Sequence, residues 1–186
     1  MKKLIILFLI SCLIIIFIYN KNYKKYINVL SINSLEKEDD FNPYLTSLFS
    51  KSSINYKFIT DYTNKTIEIE NLIAKIRDID KLKNVIHQSN VIIISLGNID
   101  KKTEDINTII KEMKDLFKLL REINNQEIIY ISPPSIKNTI LFKEQCVKYK
   151  IKYINGSSFI HKPNLIAQLL YNDIEKSWNK EKYWFI

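Results

Sequence analysis

The run NVIIISLG, Asn90 to Gly97, constrains the fold more than any other stretch of the chain beyond its N-terminus. Four β-branched or aliphatic residues in succession, apolar on both faces and closed by Gly97, read as a central strand covered on both sides. Further strands are read at Ile27 to Ile32, a short apolar run, at Ile54 to Ile59, which alternates, in EIIYIS (stopped by Pro133 and Pro134) and at Ile151 to Ile154. Between them the apolar period changes. NPYLTSLF begins a helix with Asn42 as its cap and Pro43 at its first position. From Lys65 to His87, Ile69, Leu72, Ile73, Ile76 and Ile79 recur at helical spacing. Asp105 to Ile123 repeats its apolar residues with a period near 3.6, a long amphipathic helix. Ile140 to Tyr149 and Pro163 to Ile174 complete the helical set. Five strands alternating with helices predict parallel crossovers and a three-layer α/β/α sandwich around a five-stranded parallel sheet. In such sheets, chemistry collects beyond the C-terminal ends of the strands.

The N-terminus carries a different signal. Leu4 to Tyr19, LIILFLISCLIIIFIY, holds no charge and reaches about 24 Å as a helix, close to the ~30 Å hydrocarbon core. Lys3 and Lys21 flank it and can snorkel. No small-x-small cleavage site follows, so the segment reads as an uncleaved signal anchor. Leu9-Ile10-Ser11-Cys12 resembles a bacterial lipobox, the competing reading, but the apolar run continues past Cys12 and favours a spanning helix. Lysines balance across the segment, so charge alone does not orient it. The expected organisation is an anchor with its basic flank at 1–25, a domain at 26–177 and an aromatic tail at 178–186. The expected location is the cell membrane, single-pass through residues 4–19, with the domain on the extracytoplasmic side.

Composition removes several functions. The net charge of +8 suggests nucleic acid, yet of the 28 basic residues only Arg77 and Arg121 are arginines. Arginine supplies the fork that reads phosphates and base edges, and no basic cluster is interleaved with aromatics. The lysine, isoleucine and asparagine excess points instead to an A- and T-rich genome; no nucleic-acid partner is expected. Two glycines, Gly97 and Gly156, cannot build a phosphate-cradling loop. Cys12 and Cys146 form no disulfide framework, and His87 and His161 have no zinc-site spacing. No cofactor and no metal is expected.

Three segments, in order along the chain, carry a resemblance. INSL (Ile32 to Leu35), SLGNID (Ser95 to Asp100) and SFIHKPN (Ser158 to Asn164) are similar to the blocks of the SGNH, or GDSL-type, hydrolases, and each follows an expected strand. NPY, Asn42 to Tyr44, also looks like a segment common in bacterial members. The resemblance spans Tyr26 to Ser177 and implies a flavodoxin-like sheet and hydrolysis of acyl or acetyl esters. By position it implies Ser34 as nucleophile and His161 as base. Ser158 stands at the position of the family aspartate that orients the base, and Gly97 and Asn98 occupy the oxyanion-hole block. The departures are specific. The residue beside the nucleophile is Asn33 rather than aspartate, the region Asp61 to Thr66 lacks the second-block glycine, and Ile99 stands where the family has asparagine. Losing the orienting aspartate costs a triad ~10⁴ in turnover, and losing one oxyanion donor ~10²–10³.

Two functions therefore fit the sequence. One is a weak or specialised esterase acting on a small acyl ester, or on acyl esters of lipid or envelope carbohydrate. The other is an inactive pseudo-hydrolase serving as a binding or scaffolding module at the membrane, and the altered supporting positions favour it. Among the remaining polar residues, Asp39 and Asp40 read as a solvated loop, Asp100 as a helix cap, His87 as structural, and Cys146 as a small core residue.

Overall fold

Ile27, Val29, Leu30 and Ile32 are all almost fully buried, and so is every residue of Val91–Ser95. Strands with both faces buried need helices on both sides, which is what the chain builds. The computed structural model describes residues 11–12, 27–33, 39–52, 54–60, 69–96, 106–132 and 139–183. The strands are β1 (Ile27–Asn33), β2 (Ile54–Thr60), β3 (Val91–Ser95), β4 (Glu127–Ile131) and β5 (Lys152–Ile154). The helices are α1 (Asn42–Phe49), α2 (Ile69–Asp78), α3 (Asp80–His87), α4 (Ile106–Ile123), α5 (Thr139–Lys148) and α6 (Pro163–Tyr183), with a 3-10 turn at Gly156–Phe159. All four pairings are parallel and the order is β2-β1-β3-β4-β5. This is the flavodoxin-like order, with its switch point between β1 and β3.

The two faces of the sheet are separated by residue parity. Val29, Ile93, Ile129 and Ile131 pack with Phe41, Leu45 and Phe49 of the α1 segment and with Ile166, Leu170 and Ile174 of α6. Leu30, Ile32, Ile92, Ile94, Ile128 and Tyr130 face the other way, onto α2 through α5. Cys146 belongs to that second core; burial pushes its thiol up to about 12, which makes it an inert apolar filler.

The expected helix over Lys65 to His87 is two helices within the described residues. Ile69, Leu72, Ile73 and Ile76 are buried, but a continued helix would next turn Asp80 and Lys83 inward. The chain instead breaks at Ile79, which is extended (φ −110°, ψ 97°) and exposed, and α3 restarts in a phase that buries Ile86. The last helix is longer than the sequence period indicated. It continues to Tyr183, so the first residues of the expected tail extend it. Within the described residues no helix is long and apolar enough to cross a membrane. The expected anchor, apart from residues 11–12, lies outside them.

Candidate functional site

The sheet ends on a polar step. Its last row in register runs Asn33, Ser95, Ile131, Ile154, with Asn33 paired to Ser95. Asn33 and Ser95 are buried, and the Ser95 hydroxyl has no hydrogen-bond partner among the described residues. Leaving a buried hydroxyl unsatisfied at the end of an apolar strand costs stability. That cost falls on the rim where parallel sheets carry chemistry.

From Asn33 the chain passes to Ser34, which lies outside the described residues, and is described again from Asp39. Here the structure corrects the reading of Asp39 and Asp40 as a solvated loop. Asp40 Oδ1 accepts from Asn33 Nδ2 at 2.8 Å and from the Asn42 backbone N–H at 2.9 Å. Burial raises its pKa, against the opposing pull of those hydrogen bonds. Asp40 thus serves the N-terminus of α1 in the place expected of Asn42. The Asn42 side chain instead accepts from Tyr56 OH at 2.5 Å. The same geometry explains the asparagine at position 33. An aspartate there would bring a second carboxylate to the Asp40 oxygen, whereas the amide donates to it.

Asp39 turns the other way, toward the final loop. Its Oδ1 accepts from the His161 backbone N–H at 2.9 Å, and His161 Nδ1 lies 3.7 Å from the same oxygen. The carboxylate is the more buried partner, its side chain 19% exposed against 71% for the ring. A contact across 122 residues thereby joins the loop after β1 to the loop after β5.

The backbone at His161 is unusual. The Lys162 N–H donates to Phe159 O at 2.8 Å, Ile160 has φ −51° and ψ 127°, and His161 has φ 55°. These are the angles of a type II turn with His161 at the position that favours glycine. A non-glycine residue held at positive φ stores of order 1–3 kcal/mol and persists where its surroundings enforce it. The bond to Asp39 is one such enforcement. Lys150 shares the same φ but has an ordinary reason for it. Its own N–H and that of Ile151 close the C-terminus of α5 onto Val147 O and Cys146 O, a Schellman motif.

The loop after β5 is pinned from below. Ser132 Oγ accepts from the Gly156 backbone N–H and from Tyr153 OH, both at 3.1 Å. A Cβ on Gly156 would come within 1.8 Å of Ser132 O, so only glycine fits there. Asp39, Ser95, Ser132, Gly156 and Phe159 line a cavity of about 20 Å³, room for one water. Ser158 is exposed in the 3-10 turn, which Asn155 caps by accepting from the Ser157 backbone N–H and from its hydroxyl. Gly97 and Asn98, just past the end of β3, lie outside the described residues.

A far larger cavity, about 770 Å³, opens at the opposite rim, bordered by Asn90, Arg121, Gln126, Lys148 and Lys150. Its size does not make it the site. The Arg121 guanidinium is spent on the backbone carbonyls of Tyr149, Gln126 and Lys150, and Asn90 accepts from the Asn28 N–H through its side-chain oxygen. Among the described residues no group of three His, Cys, Asp or Glu side chains converges as a metal site would require.

Of the residues singled out by sequence, the structure describes His161 and Ser158. The residues missed were Asp39 and the Asn33–Asp40 pair. An acidic pair directly ahead of a proline-started helix was a local signal for Asp40. Nothing local could have joined Asp39 to His161.

No family model matches the chain, and no curated protein matches it in sequence. Among solved structures it is similar to a lipase from a goat rumen metagenome, with a TM-score of 0.44 and 10% identity over 70% of this chain and 80% of that one. It is also similar to a pilus assembly-related protein from Burkholderia pseudomallei, with a TM-score of 0.37 and 8% identity over 68% and 75% of the two chains.

Proposed function

We propose that the protein is an ester hydrolase of the SGNH type, held at a membrane by residues 4–19 and acting on acyl or acetyl esters of lipid or envelope carbohydrate. One observation carries this reading. Asp39, five residues after Ser34, holds the backbone of His161 and faces its ring, so the loops that bear the two chemical residues meet on one rim. In the reaction Ser34 Oγ attacks the ester carbonyl carbon while its proton passes to a ring nitrogen of His161. The Gly97–Asn98 segment supplies N–H donors to the resulting oxyanion. Collapse of the tetrahedral intermediate breaks the bond to the alcohol, which leaves with the proton from His161. Water then attacks the acyl-serine, giving its proton to His161, and the acid departs as Ser34 Oγ takes that proton back.

The departures from the family pattern are consistent with a slow enzyme rather than an empty fold, because Asn33 serves a new partner in Asp40 instead of leaving a gap. The competing reading, an inactive binding module, rests on the high exposure of the His161 ring. The test is hydrolysis of a chromogenic acetate ester by the full chain in detergent, compared with Ser34→Ala and His161→Ala. Each substitution is expected to lower turnover by about 10²-fold or more, since members of such a set act as a unit. Equal rates for wild type and Ser34→Ala would leave the inactive module as the surviving reading.

A further inference from the structure

The family position for the orienting carboxylate holds Ser158, a hydroxyl that cannot stay charged beside an imidazolium. The carboxylate that does approach His161 comes from the other side of the site, five residues beyond Ser34. We infer that Asp39 is the positioning residue for His161, so that the acid of the triad comes from the loop after the first strand instead of the loop before the histidine. The inference rests on the hydrolase reading for its kinetic consequence, but not for its structural one.

Three observations converge on it. A single oxygen, Asp39 Oδ1, accepts the His161 backbone N–H at 2.9 Å and stands 3.7 Å from ring Nδ1. The main-chain bond ties the carboxylate to the residue whose ring it orients, and the 3.7 Å to Nδ1 must shorten to hydrogen-bond length in the reacting complex. Sites without substrate are commonly looser than the reacting complex. Second, His161 sits at φ 55°, in the turn position that favours glycine. Unlike Lys150, His161 closes no α-helix end, and its conformation is held in place by the bond to Asp39. Third, Asp39 is largely shielded while the ring is open, so the carboxylate is the fixed partner and the ring the one that adjusts to it.

The chemistry follows directly. Asp39 accepts a hydrogen bond from Nδ1–H, which fixes the tautomer that leaves Nε2 unprotonated and able to take the proton of Ser34. As the imidazolium forms, Asp39 remains ionised and stabilises it. No bond to Asp39 forms or breaks.

Asp39→Asn keeps an oxygen for the His161 N–H and removes the charge; Asp39→Glu keeps the charge. Kinetics with a chromogenic acetate ester should show kcat lowered about 10²- to 10⁴-fold in Asp39→Asn with KM within about threefold of wild type, and partial recovery in Asp39→Glu. Ser158→Ala should stay within about threefold of wild type. The second readout needs no turnover. The chain has only two histidines, so ¹⁵N spectra of the neutral imidazoles resolve His161 against His87 and report which ring nitrogen bears the proton. The expected result is Nδ1–H for His161 in wild type and in Asp39→Glu, and a mixture of tautomers in Asp39→Asn. If wild type shows no ester turnover above Ser34→Ala, the hydrolase reading fails while the Nδ1–H result still upholds the Asp39 pair. A mixed tautomer in wild type, an Asp39→Asn enzyme with unchanged kcat, or a large loss in Ser158→Ala would overturn the inference. Should Asp39→Asn fail to fold, the wild-type and Asp39→Glu tautomers decide alone.

Discussion

The two rims of the sheet solve opposite problems. At the N-terminal ends of the strands lies a groove of about 770 Å³ whose conspicuous polar groups are already committed to the backbone. At the C-terminal ends lies a cavity of about 20 Å³ lined by Ser95, whose hydroxyl has no partner among the described residues, and by the largely shielded Asp39, which holds the strained His161. The first rim is wide and satisfied; the second is tight and unsatisfied. Arg121 and the Schellman close at Lys150 do what helix ends ordinarily require, which is to give free carbonyls a partner. Ser95 and His161 do the reverse and hold a polar group and a backbone in states that cost free energy. Uncompensated cost, rather than cavity size, is what separates a site from a surface groove.

Three substitutions would break or sharpen this contrast. The largest effect belongs to Gly156→Ala. The new Cβ, fixed rigidly to the main chain, would meet the Ser132 backbone carbonyl oxygen at 1.8 Å, so the loop that carries His161 must move. Overpacking against main chain with no flexible atom to yield is expected to cost about 3 kcal/mol or more in denaturant unfolding. A loss below about 1 kcal/mol would mean that this rim is looser than its packing indicates. At the opposite rim, Arg121→Ala removes three charge-assisted bonds to carbonyls. Two of those bonds are exposed, and screening brings the expected loss to about 1–2 kcal/mol, with ester turnover unchanged. A change in turnover there would erase the division of labour between the rims. The smallest effect is expected from His161→Gly. Glycine relieves the strain at φ 55° and keeps the N–H to Asp39, at the cost of a more flexible unfolded chain. Stability should hold or rise by up to about 1 kcal/mol while turnover disappears. A clear loss of stability would show that the imidazole itself holds the loop.

Much of the architecture was legible because it depends on local period. NPYLTSLF forms a helix as its proline and apolar spacing indicate, although it starts one residue early with Phe41 rather than Asn42 at the cap position, and the run VIIIS forms the fully buried central strand. Ile79 shows where period fails. Its spacing matches a single helix, but the residues that would follow in phase are Asp80 and Lys83, and the chain breaks to keep them in solvent. The end of α6 was also hidden, since a helix can outrun its apolar stripe. For the site, the motif blocks pointed to Ser34 and His161, and His161 takes its place in the loop after β5 as expected. Asp39 reads in sequence as part of a solvated loop, because an acidic residue between two elements looks the same whether it meets water or an imidazole.

What the sequence by itself determined is the order and kind of the elements and which face of each is apolar, because these follow from side-chain spacing along a few turns of chain. Which rim is satisfied and which is strained was decided only by the tertiary structure. The partners that settle it, Asp39 with His161, Arg121 with Lys150, and Ser132 with Gly156, lie 24 to 122 residues apart. Hydrogen bonds act over about 3 Å. No local pattern can encode a contact whose range is so short and whose partners meet only when the sheet is assembled.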